Sequence, residues 1–167
     1  SLAARLAYVF MQEIVSKCTH GIDLHTAARH RQNTPQIRAY LSDSVTGEMA
    51  KAFGAPVMLQ SDLRSGSIRE AANSLNIPTV VYEGGEALRY SEFPIRAGLR
   101  GVLKTLAYLG VFAPLTERAA NIKKQILAKR SSWVRAPCPG LMRAVVTLGQ
   151  SVSIGDTLAV INHPADL

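Results

Sequence analysis

The chain has only two cysteines in 167 residues, Cys18 and Cys138. They form no CxxC pair and no disulfide framework, so a reduced, cytoplasmic setting is the simpler reading. Aromatic residues make up 6% of the chain, too few for a stacking platform on single-stranded nucleic acid. No apolar run reaches the roughly 20 residues that a membrane helix needs, so no membrane partner is expected. The opening segment contains Arg5 and Glu13 and has no cleavage pattern, so it reads as a domain helix and not as a signal peptide. Acidic residues are scarce, 12 against 19 Lys+Arg, which gives a net charge of +7. Such a balance favours anionic partners. The basic residues are scattered, from Arg29 to Arg130, and mark a solvated surface better than a nucleic-acid patch.

What is present is a globular composition, 47% hydrophobic and 19% charged. Leu2, Leu6, Val9, Phe10 and Ile14 fall at helical spacing, which predicts a helix over 2–17 packing one face on a core. GIDLH closes a short strand at His25, and the polar stretch 26–38 reads as a loop. A short helix is expected over 44–53 and a strand over 55–60. Ser67 can cap a helix over 68–75, with Ile68, Ala71, Ala72 and Leu75 inward. TVVYE at 79–83 is a β-branched run of the buried-strand type, broken at once by Gly84-Gly85. A long helix over 92–109 places Ile95, Leu99, Val102, Leu103, Leu106 and Leu109 on one stripe, with Gly110 stopping it. This alternation argues for an α/β layered fold. The division expected is 1–113 for part of an α/β catalytic domain, 114–130 for a linker or connecting strand, and 131–167 for a partial β domain. From Ser132 the stretches SSWVRAP, GLMRAVVTLG and DTLAVIN read as strands, with Gly140, Gly149 and Gly155 at turns.

Two strand ends could carry chemistry, against the plainer alternatives of a structural histidine and a surface-turn glutamate. His25 closes GIDLH, where α/β folds place their active sites, and Asp23 beside it could orient an imidazole that binds a metal. Glu83 stands at the end of a buried run, where a partly desolvated carboxylate can take a proton from water. Glu86 lies further out and is the less favoured of the two. The segment RHRQNTPQIR, residues 29–38, supplies Arg31 and Asn33, and the helix after Ser67 supplies Arg69. Arginine suits a bidentate grip on a carboxylate, and a solvated loop is the plainer alternative.

The order GIDLHTAARHRQNTPQIRA, then GSIREAANSLNIPTVVYEGGE, then the C-terminal β segment resembles the succinylglutamate desuccinylase/aspartoacylase family. The resemblance covers nearly the whole chain. It implies a zinc carboxypeptidase-like mixed sheet flanked by helices, followed by a small all-β unit. It also implies amide hydrolysis of a small N-acyl amino acid. In that family the His of D-L-H is the third zinc ligand, here His25, and the Glu of E-x-G is the general base, here Glu83. Asp23 would sit behind the ligand. Arg69, Arg31 and Asn33 are candidates for holding substrate.

The chain departs from the family in its zinc ligands, and the family's substrate-gripping Asn-Arg pair is also missing. The first two zinc ligands of the family come from H-x-x-E, and none of His20, His25, His30 and His163 is followed by Glu three positions later. Those ligands are expected upstream of residue 1, and the 167 residues alone are expected to bind metal weakly and to lack activity. Three other readings compete. A carboxypeptidase would use the same zinc and base on peptides. The second is an inactive fragment. The third is a non-catalytic binding module, because GLMRAVVTLGQSVSIGDTLAVI resembles half of a biotinyl/lipoyl-type sandwich; NHPADL, however, offers no lysine for attachment. Nothing in the sequence decides for or against a homo-oligomer.

Overall fold

The computed structural model describes residues 1–113 and 125–166. The chain divides into two compact units, Ser1–Arg130 and Ser131–Leu167. In the first, helix α1 (Leu2–Glu13) and a 3-10 turn (Val15–Lys17) lead into strand β1 (Gly21–His25). Then come β2 (Gln32–Ala39), α2 (Ser44–Phe53), β3 (Val57–Gln60), α3 (Ile68–Asn73), β4 (Thr79–Glu86), α4 (Glu92–Tyr108) and β5 (Ile126–Ala128). The five strands form one mixed sheet in the order β1-β4-β2-β3-β5. Strand β4 runs parallel to β1 and antiparallel to β2, while β3 is parallel to both β2 and β5. In the second unit β6 (Leu141–Ala144) and β7 (Ala159–Asn162) form an antiparallel pair. The α/β class with helices flanking a mixed sheet, followed by a small β unit, is as expected. SSWVRAP, however, carries no strand. Of the expected connector 114–130, residues 114–124 lie outside the described residues, and 126–128 form edge strand β5.

The core lies on one face of the sheet. Val80 and Tyr82 of β4, Ile37 and Ala39 of β2, and Met58 of β3 pack against Met49, Ala50 and Phe53 of α2. The Phe53 and Tyr82 rings stack with centroids 5.2 Å apart. The Tyr82 hydroxyl donates to the Pro94 carbonyl at 2.6 Å, and burial pushes its pKa up to about 12. A smaller cluster joins Val15, Ala72 and Ile77.

Four expectations change. Helix α4 turns its small residues inward, with Pro94, Gly98, Gly101 and Thr105 buried, while Ile95 and Leu99 are exposed. The reason is close approach: a Cβ on Gly101 would overlap the Phe53 ring, and one on Gly98 would sit 3.0 Å from the Tyr82 ring. Helix α1 buries none of its own residues, so the predicted inward face is exposed, and Val15, just past its end, is the residue that enters the core. Residues 32–39 are a strand and not a loop. Pro35, Ile37 and Ala39 alternate inward, and Pro35 is tolerated at an irregularity where the register with β4 shifts between Asn33 and Gln36. On α3, Leu75 is exposed past the helix end while Arg69 is buried.

The Ser67 cap is as expected from the sequence. Ser67 accepts from the Glu70 N–H at 3.2 Å at the start of α3. Asp43 accepts from the Thr46 N–H at 2.7 Å at the start of α2, whose far end closes on Gly54 in the left-handed region (φ 72°). The hydrogen bonds from the Thr46 side chain and backbone hold the Asp43 carboxyl below the usual carboxylate value. A carboxylate whose pKa is depressed on folding stabilises above its unfolded pKa and loses that contribution as pH falls through the folded value. Asp43→Ala is therefore expected to cost about 1 kcal/mol at neutral pH. Urea denaturation should show the gap to wild type shrinking below about pH 4.

Candidate functional site

Side chains alternate across a strand, so Glu83 faces away from the Tyr82 core. His25 of β1 and Gln36 of β2 are its register partners on either side, which sets the three residues in one row across adjacent strands. Neighbouring strands lie about 4.8 Å apart, so this row is compact. One step along the sheet, Asp23 and Arg38 flank Val81 in the same way. The face opposite the main core is therefore lined by titratable and polar groups.

Glu83 is held at both carboxylate oxygens. Asn33 Nδ2 donates to Oε2 at 2.7 Å, and Arg38 Nη1 donates to Oε1 at 2.8 Å. The Glu83 side chain is 18% exposed and that of Arg38 32%, so the pair is partly shielded from water. The two donors stand on opposite sides of the β2 irregularity, which lets one strand reach both oxygens. Strand β4 continues through Gly84 and Gly85 to Glu86, so Glu83 lies inside the strand and not at its tip. Gly85 adopts φ 77°, and a Cβ on Gly84 would meet the Tyr82 hydroxyl at 2.5 Å. The glycines thus let the strand continue where the sequence suggests a break. Glu86 pairs with exposed Arg89 at 3.4 Å.

His25 and Asp23 share a face two residues apart, and His25 Nε2 lies 2.9 Å from Asp23 Oδ2. A carboxylate on one ring nitrogen leaves the other nitrogen for a ligand, which is the arrangement behind a metal-binding histidine. A catalytic zinc needs three protein ligands. Among the described residues, no three His, Cys, Asp or Glu side chains gather to hold a metal ion. His25 fits one ligand position, and these residues do not by themselves complete a zinc site.

Arg69 of α3 is buried, and both its terminal nitrogens are engaged. Nη1 donates to the Ser61 carbonyl, and Nη2 donates to Ser61 Oγ and the Asp62 carbonyl, each at 3.0 Å. Burial lowers its pKa, and the charge of Arg38 lowers it further. Asn33 stands against Glu83, whereas Arg31 is exposed on the turn before β2, where its N–H bonds the Ala28 carbonyl. A cavity of about 460 Å³ opens on the other side of the sheet, between β1 and α4, lined by residues such as Leu24, Tyr82, Ile95 and Leu99. His25 reaches its wall, but Glu83 does not, so the polar face and not this apolar hollow is the candidate site.

The sequence does not point to Arg38, because a polar stretch read as a loop gives no face to its residues. The alternation of Pro35, Ile37 and Ala39 was the available signal.

The succinylglutamate desuccinylase/aspartoacylase catalytic domain matches residues 1–109. The chain belongs to this family. Among solved structures, it resembles a succinylglutamate desuccinylase/aspartoacylase from Rhodobacter sphaeroides at 26% identity with a TM-score of 0.81, covering 98% of this chain and 52% of that one. The ectoine utilization protein EutE (DoeB) of Ruegeria pomeroyi, in its apo structure, aligns at 18% identity and TM-score 0.80, over 96% of this chain and 53% of that one. A succinylglutamate desuccinylase from Silicibacter sp. aligns at 20% identity and TM-score 0.74, over 96% and 50%. The chain therefore spans about half the length of these relatives. No curated protein sequence matches it.

The bonds of Arg69 make a structural prediction. Arg69→Ala leaves the Ser61 and Asp62 carbonyls without their donor, at a cost of about 1–3 kcal/mol. Urea denaturation measures the loss, and Arg69→Lys should restore part of it.

Proposed function

We propose that this chain carries the base-bearing side of a zinc-dependent deacylase centre that cleaves the amide bond of a small N-acyl amino acid. The family is one of deacylases. The supporting observation is the Glu83 carboxylate, held by Asn33 and Arg38 in a row with His25. In this reading His25 is one zinc ligand, Asp23 orients its ring, and two further ligands come from polypeptide beyond these residues. A zinc ion there would lower the pKa of water and polarise the amide carbonyl. Glu83 takes one proton from the attacking water and delivers it to the leaving nitrogen as the C–N bond breaks. Each Glu83 oxygen keeps a second lone pair for that proton. Arg31, Arg69 and Asn33 surround the substrate, with Arg31 the exposed cation suited to its carboxylate and Arg69 contributing buried positive charge.

The reading assigns 1–113 to the catalytic domain, 114–130 to a connector and 131–167 to an appended β unit. It includes a cytoplasmic site of action, no nucleic-acid partner, and room for a homo-oligomer. No helix among the described residues is long and apolar enough to cross a membrane.

The test is turnover of a panel of N-acyl amino acids, with matched peptides, by a polypeptide spanning the relatives' full length. Glu83→Gln should lower kcat by about 10²–10⁴-fold, the range for loss of a general base. Wild-type turnover in that variant would remove Glu83 from the role. Faster cleavage of peptides than of N-acyl amino acids would favour a carboxypeptidase.

A further inference from the structure

Arg38 has no part in the chemistry assigned above, yet its side chain is committed to Glu83. On β2 it faces the polar side, because its neighbours Ile37 and Ala39 enter the core. Its Nη1 bonds Oε1 while Asn33 Nδ2 bonds Oε2, so the carboxylate is gripped at both ends. A glutamate side chain is flexible, and a reacting group that is free to turn loses effective concentration at its target. Holding both oxygens removes that freedom and still leaves each a lone pair. The arrangement is also not the one stability alone would select. Among the described residues, Arg38 Nε is buried with no hydrogen-bond partner. An orphaned buried donor carries a desolvation cost with no return in folding, and such departures gather where a site is being served.

We propose that Arg38 is a positioning residue for the base: it fixes the Glu83 carboxylate at one oxygen, against Asn33 at the other, so that the carboxylate points at the attacking water. This rests on the reading of Glu83 as the general base. The arginine acts through Glu83 and does not itself touch the substrate.

The test compares kcat and KM for an N-acyl amino acid in wild type, Arg38→Met, Arg38→Lys and Glu83→Gln, again in a polypeptide of the relatives' full length. Misplacing the base should lower kcat about 10–100-fold in Arg38→Met, with KM within about twofold. Arg38→Lys, which keeps a charged donor, should recover part of that loss. Adding Arg38→Met to Glu83→Gln should lower kcat no further. A loss carried by KM, or one that multiplies onto Glu83→Gln, overturns the proposal. In parallel, a denaturation cycle on the 167-residue chain with the same variants needs no activity. Non-additive shifts of the unfolding midpoint support the grip, and additive shifts overturn it. Should Arg38→Met fail to fold, Arg38→Lys and Arg38→Gln carry both measurements, with the larger kcat loss expected in Gln. If Glu83→Gln is inert while the Arg38 variants keep full kcat, Arg38 loses its role and the base keeps its own. If Glu83→Gln stays active, the base reading fails, and the denaturation cycle still decides whether Arg38 holds the carboxylate.

Discussion

Strand β4 is hydrogen-bonded on both edges and buried along most of its length, and its alternation organises the rest of the unit. Val80 and Tyr82 point one way, into the stack with Phe53 that anchors α2 and α4. Glu83, between them and the glycines, points the other way, toward Asn33, Arg38 and the row that ends at His25. A one-residue slip of this strand would exchange the two faces, placing a carboxylate in the core and a tyrosine at the site. The close approach of α4 through Gly98 sets that helix against Tyr82, on the core face of β4.

The electrostatics of the polar face follow from this geometry. Arg38, Arg64 and Arg69 are near enough for Arg69 to feel the other two, while Glu83 and Asp62 offset them. Arg69 remains tied to the backbone after β3, so it fixes the loop from which Arg64 extends. A cationic surround with one clamped carboxylate suits an anionic substrate and a base that stays in place. Such a face is costly to build around an isolated glutamate, which is why it points to chemistry more than to folding.

Much of this was legible from residue types. The β-branched run before Glu83, the serine cap of α3 and the glycine stop after α4 each have a local cause, and local causes can be read one residue at a time. Strand β2 was not legible, because Gln32, Asn33, Thr34 and Gln36 are polar and Pro35 argues against a central strand. Its pairing with β4 is a tertiary fact, and with it went the face on which Arg38 lies. The inward side of α4 is hidden in the sequence for a related reason. Large apolar residues set the apparent stripe, whereas close approach to Phe53 and Tyr82 selects the glycines. His25 and Glu83 stood out only as an ordered set within a family pattern. Their register pairing gives that order a physical meaning.

We propose that this polar face is one side of a metal-dependent centre, with His25 as ligand and Glu83 as the clamped base. The most direct measurement is a crystal structure of a polypeptide spanning the relatives' full length, grown with zinc and located by anomalous scattering at the zinc edge. The account predicts zinc bound to a ring nitrogen of His25, with Asp23 on the other nitrogen and Glu83 facing the metal while still held by Asn33 and Arg38. Zinc bound without His25, or with Glu83 turned away from it, would contradict the account.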